Sequence, residues 1–273
     1  NTWLEERART VADERVHGTT HERPSERFER AEATVLVPMD SRPPAPRERV
    51  ESAGITTRAV DLAAPDWSGL PERFDYVLHL AAVIPPGLDY DATMRINAGG
   101  TGHLMRRFRA ARACLVMSTC GVYAPPADSR HAVRESDPLG VSHQPYAPTY
   151  CVSKIAQEAV ARFAAEAYGL PTTIARMNAA YGDNGGLPAI LLGMILAGQP
   201  IPVPVGRAPI ASPIHDDDIF AHTPGLLAAA AVPATISNWG GDEAVDVREM
   251  ALYLGELAGR EARIVESPDG MTQ

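Results

Sequence analysis

The chain has 273 residues, 45% of them hydrophobic, and a formal net charge of −9. That length can bury a large core, as one big domain or a domain with a small lobe. The acidic balance, spread without long runs, excludes nucleic acid and an anionic membrane surface as partners, and no apolar stretch is long enough to span a bilayer.

Taken in order, Asn1–Arg7 lacks the pattern of a signal peptide. Short apolar runs then alternate with longer helical patterns. Thr34–Val37 is a strand candidate, followed by Thr57–Leu62, Tyr76–Ala82, Cys114–Ser118 and Thr172–Arg176. Amphipathic stretches near 93–112 and 153–168 lie between them. Asn184–Pro188 and Asn238–Gly241 read as turns. Strands alternating with helices imply an α/β fold with a parallel sheet covered on both faces, whose sites sit at the carboxyl ends of strands. Cys114, Cys120 and Cys151 are odd in number and lack metal-ligand spacing, which points to a reducing cytoplasm and to no metal centre.

One residue stands apart. Of 25 basic residues, Lys154 is the single lysine, and it lies four places after Tyr150. A site that keeps lysine where arginine serves elsewhere needs a compact ammonium on a flexible stem. Ile155, Ala156, Ala159, Val160, Phe163, Ala164 and Ala167 have helical spacing, and Gly169-Leu170-Pro171 gives a stop. On such a helix residues four apart share a face, so phenol and ammonium point the same way. A nearby cation favours the phenolate, and a phenol tuned toward neutrality exchanges a proton with an alcohol or ketone. Tyr150 and Lys154 are therefore a candidate catalytic pair.

From about residue 57 to 260 the chain resembles the extended short-chain dehydrogenase/reductases, the NAD-dependent epimerase/dehydratase family. The resemblance is carried in order by Asp61-Leu62, His79-Leu80-Ala81-Ala82, Asn97-Ala98-Gly99-Gly100-Thr101, Ser118-Thr119-Cys120-Gly121-Val122-Tyr123, Tyr150 with Lys154, Arg176 to Gly182, and Pro213-Ile214-His215-Asp216-Asp217-Asp218. It implies a Rossmann-like doubly wound parallel sheet. Residues 1–180 would form the dinucleotide-binding domain and 181–273 mostly a small C-terminal substrate lobe, with 208–240 returning to the main domain. It further implies hydride transfer to or from a secondary alcohol or ketone, or epimerisation through a transient ketone. Thr119 would hold the substrate oxygen, Tyr150 would move the hydroxyl proton, and Lys154 would lower the Tyr150 pKa and bind the nicotinamide ribose. Asp61, Leu62, Leu80, Ala81, Ala82, Asn97 and Met177 would join Tyr150 and Lys154 around the cofactor. Cys120, Gly121, Asn178 and Asn184 would face a small-molecule substrate. A homodimer through the helices flanking the site is also implied.

The chain departs from the family's pattern at defined points. Where three spaced glycines should cradle the pyrophosphate, only Gly18 is in place, and His21 and Pro24 occupy the other two positions. Either a segment is absent from this chain or the cradle has degenerated. Asp40 suits the free ribose of NAD and Arg42 the 2′-phosphate of NADP, with the balance toward NAD. Ala211 stands where the family's nucleotide-sugar enzymes carry a diphosphate-gripping arginine, and Cys120-Gly121 replaces the acidic pair of the dehydratases. Sugar dehydration and a nucleotide-diphosphate handle are thus disfavoured. His215 with Asp216, Asp217 and Asp218 reads as a helix cap, because consecutive positions do not converge on one ion. Two alternatives follow from the damaged glycine stretch: a non-redox acid–base enzyme, or a catalytically silent ligand sensor.

Overall fold

The computed structural model describes residues 55–84, 89–140, 147–183, 185–268 and Gly270. The strand candidate at 34–37, Gly18, Asp40, Arg42 and Asn184 lie outside the described residues. Residues from Val60 onward form a unit of their own.

Its main sheet has four strands in the order β1-β2-β3-β9, all parallel. They are β1 (Tyr76–His79), β2 (Ala113–Thr119), β3 (Thr172–Met177) and β9 (Thr235–Trp239). Successive side chains of a strand point to opposite faces, and both faces are buried at β2 and β3, whereas Tyr76 and Leu78 leave one face of β1 about half-exposed. Cys114, Val116 and Ile174 pack with Met105, Phe108, Ala161 and Leu170 on one side. Leu115, Ala175 and Met177 pack with Ile214, Trp239, Ile219 and Leu226 on the other. This near-continuous apolar run is what a parallel sheet clad on both faces requires, and the α/β Rossmann-like class expected from the sequence is the one observed.

The first face is covered by a helical run and a long helix. The run comprises α1 (Tyr90–Thr93), a π-turn (Met94–Gly99) and α2 (Gly100–Arg107). It stops short of the expected 112 because Phe108 leaves the helix to pack edge-on against Trp67 and Phe74, at 5.5 and 5.3 Å between ring centroids. The long helix α3 (Tyr150–Tyr168) begins three residues before the expected 153 and ends at Gly169, whose φ of 63° closes it. Leu170 N–H then bonds the Ala165 carbonyl at 3.0 Å, so the Gly-Leu-Pro stop acts through a left-handed cap.

Thr57–Leu62 is not a strand. It carries no strand assignment and turns at Leu62, where it presses on α2. A side chain at Gly100 would come within 2.8 Å of the Leu62 Cβ.

Beyond β3 follow β4 (Ala180–Gly182), β5 (Gly185–Gly186), α4 (Leu187–Leu196), β6 (Ile201–Pro204), β7 (Ile210–Ala211) and β8 (Ile214–His215). Next come α5 (Asp216–Ala228), which lies on the second face of the sheet, and then β10 (Val245–Asp246), α6 (Val247–Leu257) and β11 (Ile264–Ser267). Asn238 and Trp239, expected in a turn, instead complete β9. Their backbones match Arg176 and Met177 in register, and only Gly240 and Gly241 follow the strand. A separate apolar cluster joins α4, β6, β7 and α6 through Leu191, Ile195, Ile201, Val203, Ala211, Val247 and Ala251. Among the described residues no helix is long and apolar enough to cross a membrane.

Candidate active site

The carboxyl end of β2 and the first turns of α3 meet in a polar seam. Three consecutive β2 residues take part. The Met117 carbonyl accepts Lys154 Nζ at 2.6 Å. Ser118 Oγ donates to Glu158 Oε1 at 2.6 Å. Thr119, still extended at φ −141° and ψ 149°, ends the strand. Its Oγ1 accepts the Gly121 N–H at 3.2 Å as the chain turns through Cys120–Val122. Tyr150 stands one turn before Lys154 on the same face of α3, so Thr119, Tyr150 and Lys154 lie at one end of the sheet.

Lys154 is 1% exposed. Burial disfavours its charge and pulls it from 10.5 down to about 8, against the field of Glu158, which holds it up. His79 is 2% exposed at the end of β1. It is lowered to about 4, first by burial and then by Lys154, and is neutral at pH 7. Its tautomer follows from its partners. Thr101 Oγ1 gives its proton to the Asn97 carbonyl at 2.7 Å, so it accepts from His79 Nε2, 2.7 Å away, and from Gln157 Nε2 at 2.9 Å. The proton of His79 therefore sits on Nε2.

Beyond β1 the segment Leu80–Ala82 is exposed and carries no regular structure, and it is held in place from Val83. The Asn97 amide accepts the Val83 N–H at 2.8 Å and donates to its carbonyl at 2.9 Å, while also reaching Ser153 Oγ at 2.9 Å. Asn97 is 1% exposed and acts on the strand-end backbone through these bonds. It sits in the π-turn, the kind of helical defect often found at functional sites. Asp61 folds its Oδ1 onto the Ala63 N–H at 2.9 Å.

On the far side, Met177 ends β3. Asn178 accepts the N–H groups of Ala179 and Ser212 at 2.8 and 3.0 Å, which ties β3 to the lobe. A cavity of about 560 Å³ opens here, lined among others by Cys120, Tyr123, Asn178, Arg207 and Trp239. Two expected substrate residues, Cys120 and Asn178, lie in its wall. Thr119, Tyr150 and Lys154 are outside its lining, and Gly121 is buried behind Thr119. Burial pushes the Cys120 thiol up to about 11, so it lines the cavity as a neutral group. His215 caps α5 by accepting the Asp217 N–H at 3.2 Å. Among the described residues no group of histidines, cysteines and carboxylates is arranged to hold a metal ion.

Sequence reasoning missed the ion pair beneath this seam. Arg176 Nε and Nη2 grip Glu158 Oε1 and Oε2 at 2.9 and 2.8 Å, and both residues are 1% exposed. The guanidinium also lies 4.7 Å from the centroid of the Tyr123 ring. Burial alone would weaken the Arg176 charge, but its bonds to Glu158 outweigh that and raise its pKa. Helical spacing places Glu158 one turn after Lys154, but nothing local in the chain ties it to Arg176.

The sequence profile of the NAD dependent epimerase/dehydratase family matches residues 6–208. No curated protein sequence matches the chain. Among solved structures, MoeE5 in complex with UDP-glucose and NAD is 22% identical with a TM-score of 0.58, the match covering 72% of this chain and 68% of that one. A mutant UDP-glucuronic acid 4-epimerase from Bacillus cereus, in complex with a fluorinated UDP-sugar and NAD, is 21% identical with a TM-score of 0.63, covering 78% and 69%. RMD from Pseudomonas aeruginosa, complexed with NADPH, is 21% identical with a TM-score of 0.60, covering 83% and 82%. At these identities the likeness is one of fold.

Proposed function

Because the chain belongs to the NAD-dependent epimerase/dehydratase family, we propose that it is an NAD(P)-dependent oxidoreductase or epimerase acting on a secondary alcohol or ketone of a small molecule. The observation that carries this reading is the buried Lys154, one turn from Tyr150 and bonded to β2 two residues before Thr119.

The residues present fit a dinucleotide. Leu80–Ala82 are exposed residues at a strand's carboxyl end, where such sheets bind ligands. Lys154 is a buried three-proton donor whose described bond is to a single carbonyl. Asp61, Leu62, Leu80, Ala81, Ala82, Asn97 and Met177 surround or support that position, and the nicotinamide, when bound, supplies the hydride chemistry. Tyr150 passes a proton to or from the substrate oxygen. Lys154 favours the phenolate and orients the ribose, and Thr119 donates to the same substrate oxygen. NAD is favoured over NADP on Asp40.

The cavity beside Cys120 and Asn178 takes the rest of the substrate. Ala211 is 1% exposed, paired with Val245 inside the lobe's apolar cluster, and offers no cation to a nucleotide diphosphate. Cys120 and Gly121 supply no acid and base for water elimination. A substrate without a nucleotide handle, reduced, oxidised or epimerised, fits better than sugar dehydration. We assign residues 1–180 to the cofactor, 181–273 mostly to the substrate with 208–240 joining the main domain, and the active form to a cytoplasmic homodimer.

Titration with NADH and with NADPH tests the reading. Nicotinamide fluorescence should rise on binding, and Lys154→Met should abolish the rise. No enhancement with either cofactor would overturn the nicotinamide reading and leave a non-redox acid–base enzyme or a silent sensor.

A further inference from the structure

We propose that Glu158 is a positioning residue for the catalytic lysine: its carboxylate, fixed in place by Ser118 and Arg176, is the near negative charge that keeps the buried Lys154 ammonium protonated and seated on the Met117 carbonyl. The inference rests on the reading of Lys154 as catalytic, and it explains a feature that reading leaves open. An ammonium 1% exposed and bonded to one neutral carbonyl is costly unless a counter-charge is near. Tyr150, Lys154 and Glu158 stand at successive turns of one face of α3, so the carboxylate is the neighbour below the ammonium as the phenol is the neighbour above.

The carboxylate itself is fixed from β2 and β3. Ser118 Oγ and Arg176 Nε both donate to Oε1, at 2.6 and 2.9 Å, and Arg176 Nη2 donates to Oε2 at 2.8 Å. Ser118 lies between Met117, which receives Lys154, and Thr119. The strand thus locks the ammonium, its counter-charge and the substrate-holding hydroxyl into one register.

Among the described residues, the groups that β1, the turn after β2, the π-turn and α2 bring against this face are neutral at pH 7. From β1 comes His79, lowered to about 4. From the turn after β2 comes Cys120, pushed up to about 11. The π-turn and α2 bury Asn97 and Thr101. Tyr150 shares the helix. Among the described residues Glu158 and Arg176 are the charged pair buried in this seam, with Glu135 reaching Arg176 Nη1 through its backbone carbonyl at 3.1 Å, and Glu158 opposes the effect of burial on Lys154.

The chain's single lysine makes the test direct. Protein grown with 13C-labelled lysine gives one Cε resonance, and its pH titration in the unliganded protein reports Lys154 without assignment. In the wild type the midpoint should lie near 8. In Glu158→Gln it should fall by about one pH unit, since an opposite charge is lost and Arg176 is left uncompensated. A purely structural role predicts the reverse, because loosened packing admits water and moves the midpoint up toward the ordinary value of about 10.4. An unchanged or raised midpoint overturns the proposal. Should Glu158→Gln fail to fold, the double variant Glu158→Gln with Arg176→Met avoids leaving the Arg176 guanidinium buried without its partner. It carries the same expectation of a midpoint below the wild type, and a midpoint at or above the wild type overturns the proposal. None of these titrations requires turnover. The positioning role can therefore fail while nicotinamide binding holds, and the reverse.

Discussion

The seam between β2 and α3 and the lobe formed by α4, β6, β7 and α6 are both well buried, yet they are built from opposite materials. The lobe core is aliphatic, with Leu191, Ile195, Ile201, Val203 and Val247 at most 3% exposed. The seam, at similar burial, holds Lys154, Glu158, Arg176, His79, Gln157, Ser118 and Asn97. Aliphatic packing contributes stability without direction, and its parts can be exchanged for others of the same volume. A buried polar network contributes little net stability but fixes geometry, because every member has a specified partner. The lobe is built to stay folded, and the seam to place an ammonium, a phenol and a hydroxyl.

The largest expected effect separates the two regions by pairing. Arg176→Met removes the guanidinium and strands the Glu158 carboxylate in the interior, at a cost of about 3–5 kcal/mol. Chemical denaturation at neutral pH measures it, and a loss below about 1 kcal/mol would show that water reaches the pair. In the lobe, Leu191→Ala, at a side chain with no exposure, should cost about 3 kcal/mol by cavity formation. The midpoint of the lysine titration should stay where it is, and a shift would mean the two regions are not independent.

Acid provides the next contrast. The folded value of His79, about 4, lies below the 6.5 of the unfolded chain. The unfolded state therefore binds more protons between those values. The stability His79 confers is complete above pH 6.5 and is lost as pH falls toward 4, by about 3 kcal/mol in all. A His79→Asn variant should flatten that part of the stability–pH curve, and an unchanged slope would refute the assignment.

Lys154 obeys the same linkage at higher pH. The folded lysine, near 8 against 10.5 in a free chain, binds fewer protons than the unfolded one. It destabilises the protein below pH 8, and that burden lifts as pH rises toward 10.5. Lys154→Met should raise stability at pH 7 by about 3 kcal/mol while removing activity. A variant less stable than the wild type would show the ammonium to be a structural asset.

The smallest effect concerns the outside of the same helix. Phe163 is 70% exposed on α3, and Phe163→Arg should change monomer stability by less than about 0.5 kcal/mol. If the homodimer forms through this face, sedimentation will show monomers. Unaltered mass would place the interface elsewhere.

The scaffold was legible wherever hydrophobic periodicity had only local competitors. The strand candidates 114–118 and 172–176 and the helix 153–168 follow from apolar spacing and a Gly-Leu-Pro stop, and the structure extends each by one to three residues. Thr57–Leu62 misled because a β-rich hexamer needs a ladder partner, and none of the described residues gives it one. Asn238-Trp239 misled for the converse reason: turn-forming residues were drawn into a strand by the backbone of Arg176 and Met177. At the site, Tyr150 and Lys154 stood out by rarity and spacing, and Thr119 by its place in an ordered set of motifs. Glu158 and Arg176 are ordinary members of a helix and a strand until the two elements meet. A pair separated by 18 residues has no local signature in the chain.

The catalytic assignment is tested most directly by nicotinamide oxidation with a panel of small ketones, comparing the wild type with Tyr150→Phe at saturating NADH. The pair accounts for proton transfer, so the variant should keep its NADH fluorescence enhancement while kcat drops by about a thousandfold. A Tyr150→Phe protein that oxidises NADH at the wild-type rate would contradict the assignment outright.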